Sequence, residues 1–331
     1  MARATSGTGS TGCSHDSAVS SAAAAVFLDA RTGHPEAEGM TTLRIALEWF
    51  LNPDHLPLLA ARDLLRDQGI DLDLVVPDDH YDGFDALARG EVDAVVNEPL
   101  HLVERREIAL VSHGCFFVTQ GGVLMHRAAL ERLAQGQPVR IASPVSTPTT
   151  DQLCRDILAG WLRSTRQTKS LPEVAIQPAG FNHVDNLAAG FDGAWLAFGN
   201  VEGVAARVRG LDTQLVTTAE AGIPQFSALE LIGRRDADTQ QAAAIAALVA
   251  ALDTAIPALC AAPERARALW YACSGDAPSA EGDAIVAATL PCFIAPVVPR
   301  RDRWQPMWAY LHAHGGDVVE EERFAAMFPT G

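Results

Sequence analysis

From Thr42 onward the chain alternates short apolar runs with amphipathic stretches, and that alternation admits few folds. Leu43-Arg-Ile-Ala-Leu47 reads as a buried strand, and Asp54 to Gln68 as an amphipathic helix with Pro57 in its first turn. Gly69 stops that helix, and Leu72 to Val76 is a second strand. A short helix from Tyr81 to Ala88 and a third strand from Val92 to Val96 complete βαβαβ, which predicts a parallel sheet with right-handed crossovers. The pattern recurs after Ala128, with strands at 139–142, 174–177, 194–197 and 215–216 and helices at 150–162, near Val184 and at 201–208. The apolar runs Ile108 to Phe117 and Val123 to His126 lead out of the first unit, and Ser227 to Ile232 leads back. Helices over 238–259, 263–273, 281–290, 304–312 and 321–328 follow, Trp304 and Trp308 docking the fourth of them by their i, i+4 spacing. The expectation is an α/β protein of two lobes on a hinge, residues 40–125 plus 228–331 forming lobe 1 and 126–227 lobe 2. A ligand cleft then lies between the lobes, beyond the C-terminal ends of the strands.

Composition narrows the partners. With 331 residues, 48% of them hydrophobic, the chain can bury a full core. A formal charge of −16 argues against nucleic acid, whose phosphates require clustered Lys and Arg. Lys169 is the single lysine, which limits any chemistry that needs an amine. The six cysteines form no CxxC pair and mostly sit in apolar segments, so reduced thiols are expected in place of a disulfide framework. His113-Gly114-Cys115 reads as a core strand ahead of a metal site. Residues 1–39 are rich in Ser, Thr, Gly and Ala without amphipathic period, and read as a disordered leader or a mis-assigned start, with Met40 opening the structured part. They make a poor signal peptide, Cys13 a poor lipoprotein anchor, and no stretch reads as a membrane span. A cytoplasmic location is expected, with a periplasmic one as the alternative.

The residues able to carry chemistry lie where strands end. Glu48-Trp49-Phe50-Leu51-Asn52-Pro53-Asp54-His55 leaves the first strand, Trp49 offering a flat apolar face and Asn52 and His55 directional hydrogen bonds. Trp49 in the core and Asp54 as a helix cap explain the same residues. Asn97-Glu98-Pro99-Leu100-His101 follows the third strand, and His101 reads as a ligand contact or a structural residue. Ser143-Pro-Val-Ser-Thr-Pro-Thr-Thr150 brings hydroxyls, among them Ser146 and Thr147, to a helix start that suits an anion, although capping accounts for part of it. Asn200 and Glu202 follow another strand, Glu202 able to accept hydrogen bonds from a ligand or simply to complement a helix dipole. Phe226 either stacks on a ligand or fills the interlobe core. Asp78, Asp79 and His80 read as a capped helix start ahead of a metal site.

Glu-Trp-Phe-x-Asn-x-x-His resembles the signature of the thiamine-pyrimidine precursor family, and the likeness extends loosely from Thr42 to about Phe328. That family includes formylaminopyrimidine-binding proteins and fungal-type hydroxymethylpyrimidine phosphate synthases, within the sulfonate-binding-protein superfamily. The resemblance implies a periplasmic-binding-protein-like fold of type II. It also implies a small heteroaromatic ligand held by Trp49, Asn52, His55, Asn97, His101, Ser146, Thr147, Asn200, Glu202 and Phe226. In the synthase branch, His101 aligns with the histidine consumed as substrate, and Asn97 stands where that branch has the lysine that holds pyridoxal phosphate. An amide forms no Schiff base, Lys169 lies in a polar stretch, and the cysteine-rich loop is absent from Glu220 to Phe226. A binding module without cofactor is therefore expected, served by an ABC permease if exported. A synthase using pyridoxal phosphate is the alternative, and a sulfonate- or nitrate-type binding protein a third reading.

Overall fold

The computed structural model describes residues 40–77, 81–145, 148–166 and 170–329. In chain order the first elements are β1 (Thr41–Ala46), α1 (Leu56–Arg66), β2 (Ile70–Val75), α2 (Gly83–Arg89), β3 (Ala94–Asn97), α3 (Pro99–Glu104) and β4 (Leu110–Val118). Then come β5 (Gly121–His126), α4 (Arg127–Ala134), β6 (Val139–Ser143), α5 (Pro148–Arg166), β7 (Val174–Pro178), α6 (His183–Ala188), β8 (Gly193–Phe198), α7 (Glu202–Val208) and β9 (Thr213–Thr217). The chain finishes with β10 (Ala228–Arg234), α8 (Thr239–Ala261), α9 (Pro263–Ser274), α10 (Ala280–Thr289), α11 (Arg301–Ala313) and α12 (Glu321–Ala326).

These strands form two five-stranded sheets of matching design, ordered β2-β1-β3-β10-β4 and β7-β6-β8-β5-β9. In the first, β1 runs parallel to β2 and β3 while β10 is antiparallel to β3 and β4. In the second, β6 runs parallel to β7 and β8 while β5 is antiparallel to β8 and β9. Each sheet is thus a βαβαβ unit closed by a strand that has crossed from the other half of the chain. Central β3 is apolar and buried over Ala94–Val96, whereas edge strand β2 alternates in the sequence Ile-Asp-Leu-Asp-Leu-Val.

Two expectations need correction. Strand β5 belongs to the second sheet, so the chain changes sheets at Thr119-Gln120, five residues or more before the expected boundary at 125. The apolar run Val123–His126 carries no mark of sheet membership, because β5 is buried on both faces from Gly121 to Met125. The second correction concerns α8, which by length and composition alone is apolar enough to cross a membrane. Eight of its residues between Ala244 and Leu259 are buried, and seven of them pack with α1, α9 and the first sheet in one apolar cluster. That buried stripe faces the cluster, and much of the remaining apolar surface, largely Ala, stays partly or fully exposed.

Among the described cysteines, Cys115 and Cys154 are buried, Cys260 and Cys273 exposed and Cys292 between; all five are free. His113 and Cys115 lie on β4, and no metal-binding cluster occurs among the described residues. Cys13, the leader, Asp78 to His80 and Lys169 lie outside the described residues.

Candidate functional site

The segment Glu48 to His55 is shaped by its own polar groups. Asn52 is extended (φ −141°, ψ 172°), and Pro53 opens a 3-10 turn over Pro53–His55 that runs into α1. The Asn52 side chain accepts from the Asp54 N–H at 2.8 Å, and His55 Nδ1 accepts from the Asn52 N–H at 3.2 Å, forming a reciprocal capping box. Since Nδ1 is an acceptor, the ring proton sits on Nε2, which lies 3.0 and 3.2 Å from the two carboxylate oxygens of Glu48. Burial drags the His55 pKa down, but Glu48 and Asp54 more than offset it, leaving the pKa above its ordinary value.

Asp54 turns toward the second sheet. Its Oδ1 accepts at 2.7 Å from Asn200 Nδ2, which also donates to Thr289 Oγ1 at 2.9 Å. Asn200 Oδ1 accepts from Thr119 Oγ1 at 2.6 Å, so the loop after β8, the loop after β1, the end of α10 and the β4–β5 crossing meet in one buried polar knot. Burial pushes Asp54 up to about 7; His55 and Asn200 oppose the shift, and Glu48 and Glu202 add to it. The crossings are also tied together, since Thr119 N donates to Ser227 O at 3.0 Å and Gln225 Nε2 donates to the Thr119 carbonyl.

β1 and β3 are register neighbours, Ala46 beside Val95, so Glu48 and Glu98 leave the first sheet at the same edge. Burial raises Glu98 to about 7; His101 lowers it while Glu48 and Glu104 raise it further. Asn97 Oδ1 accepts from the Glu98 N–H at 2.8 Å, and His101 Nδ1 lies 3.4 Å from Glu104, its side chain 41% exposed. From the second sheet, Glu202 accepts from the Phe198 N–H at 2.7 Å and lies 3.9 Å from His183; burial raises its pKa. His183 is buried, with its ring nitrogens 2.7 Å from Phe181 O and 2.9 Å from Trp195 O. The half-buried Trp49 ring meets Phe181 of the β7–α6 loop at 3.9 Å between centroids, and Phe50 edge-on at 5.0 Å.

The expected site residues therefore sort by depth. Trp49, Asn97, His101 and Glu202 lie at the strand ends with part of their surface open. His55, Asn200 and Phe226 are buried, and the first two spend their side-chain hydrogen bonds on protein partners. Asn52 likewise caps the 3-10 turn and donates to Phe50 O at 3.2 Å. Asn52, His55 and Asn200 thus each hydrogen-bond to protein partners within the fold. Ser146 and Thr147 lie outside the described residues. The sequence reading passed over Glu48, although it opens the motif, and Phe181 and His183, which a strand-end rule applied to β7 would have found. No local signal could reveal Thr289, which reaches Asp54 from the far end of the chain.

Two sheets of matching topology, linked by crossing strands, with strand-end loops converging between them, define the two-lobed periplasmic-binding-protein-type fold. The chain belongs to the family described as NMT1/THI5 like, which it matches over residues 52–266. Solved structures of the same fold include the ligand-binding component of an ABC-type import system from Staphylococcus aureus, with zinc bound. It is 13% identical, covering 87% of this chain and 98% of that one at a TM-score of 0.64. The alkanesulfonate-binding protein SsuA from Xanthomonas axonopodis pv. citri, bound to MOPS, is 16% identical over 88% and 99% of the two chains, TM-score 0.63. The Candida albicans CA3427 gene product is 13% identical over 88% and 96%, TM-score 0.59. No curated protein matches this sequence.

Proposed function

We infer that the protein is a solute-binding protein that closes two lobes, residues 40–120 with 228–329 and residues 121–227, on a small amine-bearing heteroaromatic molecule of the thiamine-pyrimidine type. The observation that carries this reading is the charge of the strand-end loops around Trp49. Glu48, Asp54, Glu98 and Glu202 gather there with His55, His101 and His183, and these carboxylates sense one another. Arg105 reaches this group through His101, and its guanidinium is paired with Asp82. A sulfonate or nitrate would bring negative charge to loops rich in acceptors, whereas an aminopyrimidine brings N–H donors to those acceptors and an aromatic face to Trp49. The likeness to import-system components favours the exported alternative over a cytoplasmic location, with an ABC permease as partner. Asn97 offers pyridoxal phosphate no amine, so binding is preferred to synthase chemistry.

Native mass spectrometry of the full chain with a 4-aminopyrimidine, pyridoxal phosphate and an alkanesulfonate tests this. A reversible adduct with the aminopyrimidine alone is expected. Retention of the sulfonate alone would refute the reading, and mass loss at the peptide containing His101 would replace it with the synthase.

A further inference from the structure

At the strand ends, one acidic side chain is held by a buried histidine and a half-buried asparagine and still keeps part of its surface open. The Glu48 side chain is 13% exposed while the His55 side chain behind it is 0% exposed. The capping box commits Nδ1 to the Asn52 N–H, so the ring can present only Nε2–H to the carboxylate, and it does so to both oxygens. A carboxylate has about four lone-pair directions. One bifurcated donor occupies only part of that capacity, on a residue immediately before Trp49 in the chain. A loop glutamate would ordinarily sample several rotamers and lose that freedom when it is ordered on binding. Here the fold has ordered it already.

We propose that Glu48 is the residue that selects an amino group over a carbonyl on the ligand ring, and that His55 and Asn52 act through it as positioning residues. The proposal rests on the binding reading given above. A carboxylate accepts from an exocyclic N–H or a protonated ring nitrogen but opposes a carbonyl oxygen, so one fixed acceptor discriminates amine from oxo analogues. Asn52 and His55, which the motif suggests as ligand contacts, are then retained because they fix the tautomer and the angle of Glu48.

Isothermal titration of the full chain with 4-amino-2-methylpyrimidine and its 4-oxo counterpart provides the test. Wild type is expected to prefer the amine by at least tenfold. Glu48→Gln, nearly isosteric, should erase that preference while leaving affinity for the oxo probe within about threefold. His55→Leu should also erase it. His55→Gln keeps a donor toward Glu48 and an acceptor toward the Asn52 N–H, and should restore most of it. The ratio between probes is the deciding quantity, since loosened structure would weaken both alike. A preference unchanged in Glu48→Gln, or both probes weakened equally, overturns the proposal while the binding reading stands. Wild type that binds neither probe sinks both.

Discussion

Trp49 and Asn200 each follow the end of a strand and do different work. The indole is half open and rests against Phe181 across the gap between the sheets, a contact that a planar ligand would replace with its own face. Trp49→Ala removes that face, and affinity for the aminopyrimidine is expected to fall about tenfold or more, measured by titration, with the unfolding midpoint nearly unchanged. Asn200 is the opposite case. Its amide bridges Asp54 and Thr289 and accepts from Thr119, so Asn200→Ala leaves three buried polar groups short of a partner. Each such loss costs about 1–3 kcal/mol, which predicts a large drop in denaturant midpoint, whereas an Asn200 needed only for ligand would leave stability intact. Both residues were visible at strand ends in the sequence. Their division of labour was not, because it depends on Thr119 and Thr289, which nothing local marks.

At the scale of elements, helices and parallel strands were legible because period and caps are local. Strand–helix alternation located β1, β2, β3 and β6, and Pro263 fixed the start of α9. The register of β5 was not legible, since its pairing with β8 and β9 is decided by segments about seventy and ninety residues away. Close packing at the crossing adds a constraint that composition hides. A Cβ on Gly121 would stand 1.9 Å from Ser227 Oγ and 2.8 Å from its Cβ, so the two crossing segments touch backbone to side chain. Gly121→Ala is expected to destabilise the fold by about 1–3 kcal/mol through overpacking. Adding Ser227→Gly removes both clashing atoms and should recover much of the loss in a urea titration. Equal midpoints for wild type and Gly121→Ala would mean the crossing yields freely.

For the whole molecule, polar links tie the two halves together, and the first half carries a second buried carboxyl whose titration reaches global stability. Arg209 at the end of α7 grips Glu281 on α10 with bonds of 2.7 and 2.9 Å and Asp185 on α6 with one of 2.8 Å, while Tyr310 on α11 donates to Asp156 on α5 at 3.2 Å. Glu230 sits fully buried on β10, accepting from Ser112 Oγ and, at 2.9 Å, from Trp304 Nε1, which pins α11 to the sheet. Burial raises its pKa to about 7 from an ordinary 4.5; Ser112, Trp304 and Arg303 only partly oppose this. The folded state then holds a proton that the unfolded chain has released, so folding takes up a proton between these two values. Stability contributed by Glu230 is fully present below pH 4.5, declines as pH rises through 7 and is constant above. Asp54, raised to about 7 by the same cause, acts in the same direction. Glu230→Gln can still accept from Trp304 with its carbonyl and donate to Ser112 with its amide, without a charge to desolvate. Urea midpoints measured at pH 5.5 and pH 8 should therefore fall with rising pH in wild type and fall less in Glu230→Gln. Identical slopes in the two proteins would show that Glu230 does not take up the proton and that the pH dependence lies elsewhere in the acidic surface.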